Sequence, residues 1–308
     1  MGGWHLRPRP RHLLSVVNTL PCGAKETIMI LIADSGSTKA DWVLMPEGGE
    51  RTYVNTRGFN PVVHPHDLLH NEVQKLSLDL LPNVKVSEVH YYGAGCWDHR
   101  RKKVIYDCIS NAWPQANIEV MHDLLGAARA TCGDDPGIAC ILGTGSNTCL
   151  YDGKDVTDNV TNLGFMLGDE GSGSHLGKAF LRSYFYRELD DDLNEAFEEY
   201  TTADKMTVID KVYESDMPNT YLAGFTRFMG EYQQHPLIQK IVFTSFAEFL
   251  DRHVRKYRGH LELPVHFIGS IAFHFKDILL AALHERDLTA GRFVHKPIEA
   301  LADYHAGK

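Results

Sequence analysis

Residues 28–45, IMILIADSGSTKADWVLM, constrain the fold more than any other stretch of the chain. An apolar, β-branched run breaks at small polar residues and then resumes as a second apolar-leaning run. A short run of this kind closed by turn residues reads as a buried strand. The turn, Asp34-Ser35-Gly36-Ser37-Thr38-Lys39, opens with an acid and ends with a cation. Between them lie small residues whose N–H groups can approach a ligand closely. Successive N–H groups in such a turn can form an anion-binding concavity. Taken alone, the stretch is equally readable as a surface hairpin with a polar tip.

The plan recurs at residues 137–152, GIACILGTGSNTCLYD, where Ile138–Leu142 runs into Gly143-Thr144-Gly145-Ser146-Asn147 and a second strand-like segment. Two strand–turn–strand units about a domain's length apart point to duplicated halves facing one another. Two phosphate-cradling hairpins on opposed domains are what a nucleotide caught in a cleft requires. At 308 residues the chain is long enough for two cores. Its net charge of −9 argues against a broad nucleic-acid surface, yet leaves room for an anionic nucleotide in one loop. No apolar run approaches the roughly 20 residues that span a bilayer.

The six cysteines are scattered without a C-x-x-C, so neither a zinc nor an iron–sulfur site is spelled out. Thiols so spread fit a reducing cytoplasm, which is the expected location. His64, His66 and His70 cluster on a Pro-containing loop without partner acids, and read as surface histidines. Residues 1–28 are basic and Pro-containing with only a short apolar segment. They read as a disordered extension or an over-long gene, with Met29 as an alternative start.

Residues 67–81 and 101–112 carry helical spacing, and residues 86–92 alternate like a strand entering the close-approach turn Gly93-Ala94-Gly95. Residues 117–121 read as a strand and 124–131 as an Ala-rich helix. This alternation implies a mostly parallel, helix-flanked sheet. The run Gly133-Asp134-Asp135-Pro136-Gly137 consists of turn residues and sets the boundary between a first domain, 29–135, and a second, 136–308. The second reads as helices over 172–189, 203–214, 221–232, 237–254 and 271–285, with a buried strand at 265–268. A last helix at 297–305, opened by Pro297, is placed to pack back on the first domain.

Asp123 ends a strand and precedes a helix. It could be an N-cap, although the place that would complete a capping box holds Gly126. A carboxylate at the C-terminal edge of such a sheet also sits where α/β proteins bind ligands, and could take a proton from an attacking alcohol. In GFMLGDEGSG, Asp169 and Glu170 could hold substrate hydroxyls or a hydrated metal, or simply enrich a helix's first turn. The flanking glycines favour a site, being costly unless close approach is needed. No G-x-x-x-x-G-K-[ST] is present, so a Walker-type loop is excluded.

In order, DSGSTK, GAG, HDLLGAA, GTGSN, LGDEGSG and IGSIA resemble the N-acetylglucosamine kinase group of the BadF/BadG/BcrA/BcrD-type ATPase family, within the actin-like ATPase and sugar kinase superfamily. The likeness spans about Met29 to the C-terminus. It implies an α/β fold of two actin-like (ribonuclease H-like) domains with an interdomain nucleotide cleft. Ser35, Gly36, Ser37, Thr38 and Lys39 would form one phosphate loop and Gly143, Thr144, Gly145 and Ser146 the other, with Gly269 and Ser270 beside the adenosine. Asp34 would hold a magnesium ion through water, making ATP and Mg²⁺ the implied cofactors. Asp123 matches the family's catalytic acid, and Asn60, Gly95, Asn147 and Asp169 would line the sugar.

The implied activity is phosphorylation of an amino-sugar hydroxyl, N-acetylglucosamine to its 6-phosphate, with glucosamine and N-acetylmuramic acid left open. The implied partner is a small sugar, with neither nucleic acid nor membrane, and a homodimer is compatible. Ser35 and Ser37 replace family glycines and so demand a backbone without strongly positive φ. Two alternatives stand beside the kinase. One is an ATPase activator of a 2-hydroxyacyl-CoA dehydratase-type redox partner, whose cysteine–glycine-rich segment is missing here. The other is a non-catalytic nucleotide or sugar sensor.

Overall fold

The computed structural model describes residues 29–37, 39–46, 49–62, 64–80 and 85–307. The expected N-terminal extension and Thr38 lie outside them. Strands β1 (Met29–Ser35), β2 (Lys39–Pro46) and β3 (Thr52–Arg57) form an antiparallel meander. Helix α1 (His66–Lys75), continued by a π-helical turn over Leu76–Leu80, leads to β4 (Val86–Gly93), parallel to β1. Helix α2 (His99–Ala112) leads to β5 (Asn117–His122), parallel to β4. The sheet order is β3-β2-β1-β4-β5.

Helix α3 (Asp123–Cys132) crosses to the second sheet, where the plan repeats. β6 (Gly137–Leu142), β7 (Ser146–Tyr151) and β8 (Val156–Asp158) form the meander. Then come helices α4 (Gly164–Leu167), α5 (Gly173–Phe185), α6 (Asp191–Tyr200), α7 (Lys205–Tyr213), α8 (Pro218–Gly224), α9 (Thr226–Glu231) and α10 (Pro236–Arg252). β9 (Val265–Ile268), helices α11 (Ser270–His274) and α12 (Lys276–His284), β10 (Ala290–Val294) and helix α13 (Pro297–His305) complete the chain. β9 pairs parallel to β6 and β10 parallel to β9, giving the order β10-β9-β6-β7-β8.

Both sheets are therefore mixed rather than mostly parallel. A tight turn can join only antiparallel neighbours, whereas each parallel pair needs a helical crossover. The same turns that mark the hairpins in the sequence thus dictate the antiparallel half of each sheet.

The central strand β1 is apolar on both faces because both are covered. Leu31 and Ala33 face a core with Trp42, Val89, Tyr91, Ile105 and Ile109. Ile32 faces the opposite way, into a core with Tyr92, Leu124, Ala128, Ala139 and Cys149. That second core draws on both sheets and is filled by α3 and α13, whose Ile298, Leu301 and Ala302 are buried there. α3 can lie so close because Gly126 has no side chain: a Cβ there would stand 2.9 Å from the Tyr92 side chain. The helices of the second half bury an aromatic cluster of Phe180, Phe197, Phe228, Phe246 and Phe249 against β6 and β9.

Two helices that read as continuous are broken. Residues 221–232 divide at Phe225, beside which Thr226 bonds back to the Ala223 carbonyl at 2.7 Å. Residues 271–285 divide at Phe275, whose φ of −107° and ψ of 28° leave the helical region while its ring enters the core.

Candidate active site

The turn after β1 is built on its carbonyls and one buried hydroxyl. Gly36 N–H donates to the Lys39 carbonyl at 3.0 Å, and Ala94 N–H donates to the Ser35 carbonyl at 2.9 Å. The Ser35 hydroxyl, fully buried, accepts from Phe59 N–H at 3.2 Å. Neither Ser35 nor Ser37 has positive φ, as the sequence required. Gly58 backs the turn so tightly that a Cβ there would fall 2.1 Å from the Gly36 carbonyl oxygen and 2.5 Å from Lys39 N. Sequence reasoning passed over Gly58, which reads only as part of a loop.

Asn60 joins this turn to its neighbours. Its Nδ2 donates to Ser37 Oγ at 3.1 Å, and its Oδ1 accepts from Val62 N–H at 2.9 Å. Gly95, at φ +77°, lies against it, since a Cβ there would be 2.3 Å from Asn60 Oδ1. His64, expected as a mere surface histidine, is half-buried and its Nδ1 accepts from Asn60 N–H at 3.1 Å. The structure thus brings Ser37, Asn60 and Gly95 together. Lys39, expected in the phosphate loop, is exposed and paired with Asp41 at 2.6 Å.

Asp123 opens α3, but the cap is its neighbour. His122 is the N-cap and its Nδ1 accepts from Leu125 N–H at 3.1 Å, so the reading of Asp123 as an N-cap is corrected. That leaves the Asp123 carboxylate with one short-range bond, from Leu124 N–H at 3.0 Å. Burial pushes its carboxyl up to about 6. Asp34, opposite Asp41 in the β1–β2 register, is pushed up to about 7, first by burial, then by the charges of Asp41 and Asp123. Trp97, nearly half exposed, stacks on His122 at 4.7 Å. Its only sequence signal is an aromatic two residues after the GAG turn.

In the second half the turn after β6 is neutral. Gly143 N–H donates to the Gly145 carbonyl at 3.0 Å. The carbonyls of Gly143 and Thr144 accept from Gly173 N–H at 2.8 Å and Ser174 N–H at 3.0 Å, at the start of α5. Ser146 N–H donates to Asp169 Oδ1 at 3.2 Å, and a Cβ at Gly145 would stand 3.0 Å from that carboxylate, a tight approach. Burial raises the Asp169 carboxyl above its ordinary value. Asn147 Oδ1 accepts from Thr148 N–H at 3.0 Å and from Asn159 at 3.1 Å, while Asn162 holds the Ser146 carbonyl. Gly269, at φ +108°, abuts the Leu142 carbonyl, which a Cβ there would approach to 2.3 Å.

Gly143, Thr144 and Ser270 open onto a cavity of about 640 Å³ whose far walls are α8, α9 and α11. Ala223, Gly224, Arg227, Gly230 and His274 line it. None of these was singled out from sequence, because the helices bearing them carry only an apolar period and no motif.

The family model of the BadF/BadG/BcrA/BcrD ATPase family matches residues 33–242. The chain belongs to that family. A candidate N-acetylglucosamine kinase from Porphyromonas gingivalis is 39% identical, with 91% of this chain and 99% of that one covered and a TM-score of 0.84. A second candidate N-acetylglucosamine kinase, from Chromobacterium violaceum, is 18% identical over 91% and 99% of the two chains, at a TM-score of 0.66. Component A of the (R)-2-hydroxyglutaryl-CoA dehydratase of Acidaminococcus fermentans is 14% identical over 92% of this chain and 100% of that one, at a TM-score of 0.50. The last two share the fold alone. The BadF/BadG/BcrA/BcrD ATPase fold in this chain is thus the actin-like one, with two mixed five-stranded sheets.

Membership of this ATPase family implies the use of ATP. Among the described residues no group of three or more His, Cys, Asp or Glu side chains is set to hold a metal ion unaided. The acid pair fits a cation arriving on a triphosphate instead. Asp34 is crowded by Asp41 and Asp123, and Lys39 offsets only part of that charge. A divalent cation held largely by phosphate oxygens and water would relieve it.

Proposed function

We propose that this chain is an ATP-dependent sugar kinase that phosphorylates an amino sugar, N-acetylglucosamine, at its 6-hydroxyl. The observation that carries the reading is Asp123: a partly buried carboxyl, raised to about 6, within electrostatic reach of Asp34. A general base works best when its pKa lies near the working pH. The 39% identity to a candidate N-acetylglucosamine kinase supports the choice of sugar.

In this reading residues 29–135 and 136–308 are two bodies that close on each other. The nucleoside enters the cavity between α8, α9 and α11, and its phosphates meet the turn Gly143–Ser146 where Gly143 and Thr144 line that cavity. Ser35, Gly36 and Ser37 face the triphosphate from the other side. Magnesium, steered by Asp34 through water, would supply charge neutralisation at the phosphate oxygens. Asn60, Gly95, Asn147 and Asp169 hold the sugar. Asp123 accepts the proton of the attacking hydroxyl as its oxygen bonds to the γ-phosphorus and the bond to the ADP oxygen breaks. Closure excludes water, the competing acceptor.

The test is ADP release measured across a panel of hexoses and amino sugars with Mg²⁺-ATP. N-acetylglucosamine is expected to give the highest kcat/KM. Uniform inactivity across the panel removes the kinase reading.

A further inference from the structure

Asp169 stands in a backbone conformation that few non-glycine residues adopt. Its φ is +58°, in the left-handed region uncommon outside glycine, and Gly171 follows at +75°. Such a backbone persists only where its surroundings over-determine it. Within the loop the Asp169 carbonyl accepts from Ser172 N–H at 3.1 Å and Gly168 N–H donates to the Gly164 carbonyl at 2.7 Å, while Ser146 N–H bonds the carboxylate. The peptides of Glu170 and Gly171 take their remaining contacts from outside the loop.

Those peptides are gripped from behind by α10. Glu170 is buried, and its Oε2 lies 3.1 Å from Nε2 of His253, the residue that caps α10. A carboxylate can only accept, so Nε2 carries the hydrogen. Arg252 Nε stands 3.5 Å from the other Glu170 oxygen. One residue on, Gly171 N–H donates to Ser245 Oγ at 3.1 Å, and Ser245 is itself 2.7 Å from His175 Nδ1. Burial pushes the Glu170 carboxyl up, but its hydrogen bonds outweigh burial and hold it below its ordinary value. An apolar residue would fill this place at a lower desolvation cost. What a buried directional pair adds is a fixed orientation for the peptide before it.

We propose that Glu170 and His253 are positioning residues, through which α10 sets the carboxylate of Asp169 against the sugar. The inference rests on the kinase reading, in which Asp169 is a sugar contact. Neither residue touches the sugar itself. They act only by holding the turn that presents Asp169.

The test is a double-mutant cycle read in steady-state kinetics, begun once the wild type has been shown to phosphorylate a sugar. His253→Leu is expected to raise the sugar KM about tenfold and the ATP KM less than about twofold. His253→Gln, which keeps a donor, should recover most of that loss. In an Asp169→Asn background His253→Leu should change the sugar KM by less than about twofold, since its route of action is gone. Should His253→Leu not fold, Glu170→Gln is read in the same cycle, with an expected rise of about threefold. A parallel rise in both KM values, or a full effect that survives Asp169→Asn, overturns the inference and leaves the kinase reading intact. A wild type that phosphorylates no sugar removes both, and is recognised before any variant is made.

Discussion

The turn after β1 and the turn after β6 hold equivalent places in two sheets of one plan, yet they differ in nearly every physical property. The first is flanked by acids: Asp34 is pushed up to about 7 and Asp123 to about 6. The second has no charged residue from Gly143 to Asn147, and its carbonyls are bonded to the start of α5. The cavity also lies on the second half alone, because only that half carries the helices α8 and α9. A duplicated frame has therefore been divided by chemistry. One copy concentrates negative charge where a cation and a proton would be handled. The other offers a turn with no charged residue of its own, braced by the single carboxylate of Asp169, and a hollow of a size to seat a small ligand.

The sharpest way to break that division is to remove the charge at its centre. Asp123→Asn keeps the shape and the bond from Leu124 N–H but cannot accept a proton. Turnover should fall about 10²–10⁴-fold while sugar affinity, read by calorimetry, changes little. A sensor without turnover would show no such loss. Equal activity of the variant and the wild type would mean that the first half does no proton chemistry.

Next in size are the glycines that pack each turn. Gly58→Ala in the first half places a Cβ 2.1 Å from the Gly36 oxygen, and Gly269→Ala in the second places one 2.3 Å from the Leu142 oxygen. Both obstacles are backbone, which cannot rotate away, and Gly269 adds a positive φ. Each should cost about 1–3 kcal/mol in chemical denaturation. Gly133→Ala is a partial control: its Cβ meets open space, although its φ of +67° retains the backbone strain.

Much of this frame was legible in sequence, and what was missed has a physical cause. The hairpins announced themselves because a buried strand and a tight turn both leave local composition signals. α13 began and ended where Pro297 and the apolar period placed it. The strand Ala290–Val294 was invisible, since AGRFV is short, polar at its centre and defined by pairing with β9. The roles of Gly58 and His64 were equally hidden. One depends on the backbone of Gly36 and Lys39 passing close by, the other on a loop folding back to Asn60, and neither closeness has a local signature. Asp123 was found as a residue but only the structure showed that His122 takes the capping role.

The acid half should also show itself in pH dependence, in two opposite directions. Asp123 must be ionised to accept a proton, so kcat/KM should rise about tenfold per unit up to pH 6 and flatten above it. Stability of the free protein should move the other way. An unfolded Asp gives up its proton near 3.8, whereas folded Asp34 and Asp123 keep theirs to about 7 and about 6. Between pH 4 and 7 the folded state holds the extra protons, and stability falls as pH rises. Thermal melts without nucleotide or divalent cation should record the fall, and Asp34→Asn should reduce it. A melting temperature that instead climbed through this range would show that these acids are not crowded in solution.

The smallest effect expected is that of Lys39→Ala, and it sharpens the comparison most finely. Lys39 is the one cation of the first turn, and a lysine beside a triphosphate would ordinarily be expected to matter. Here it is exposed and spends its charge on Asp41 at 2.6 Å. An exposed pair of this kind is worth about 0–1 kcal/mol, so kcat should drop no more than about fivefold. Loss of the cation also removes the charge that holds Asp34 down, so the Asp34 share of the fall in melting temperature should move to higher pH. A loss of about a hundredfold would mean that Lys39 leaves Asp41 for the phosphates when the two halves close. The first turn would then be a charge-balanced cradle, and the contrast with its neutral counterpart would belong to the open form alone.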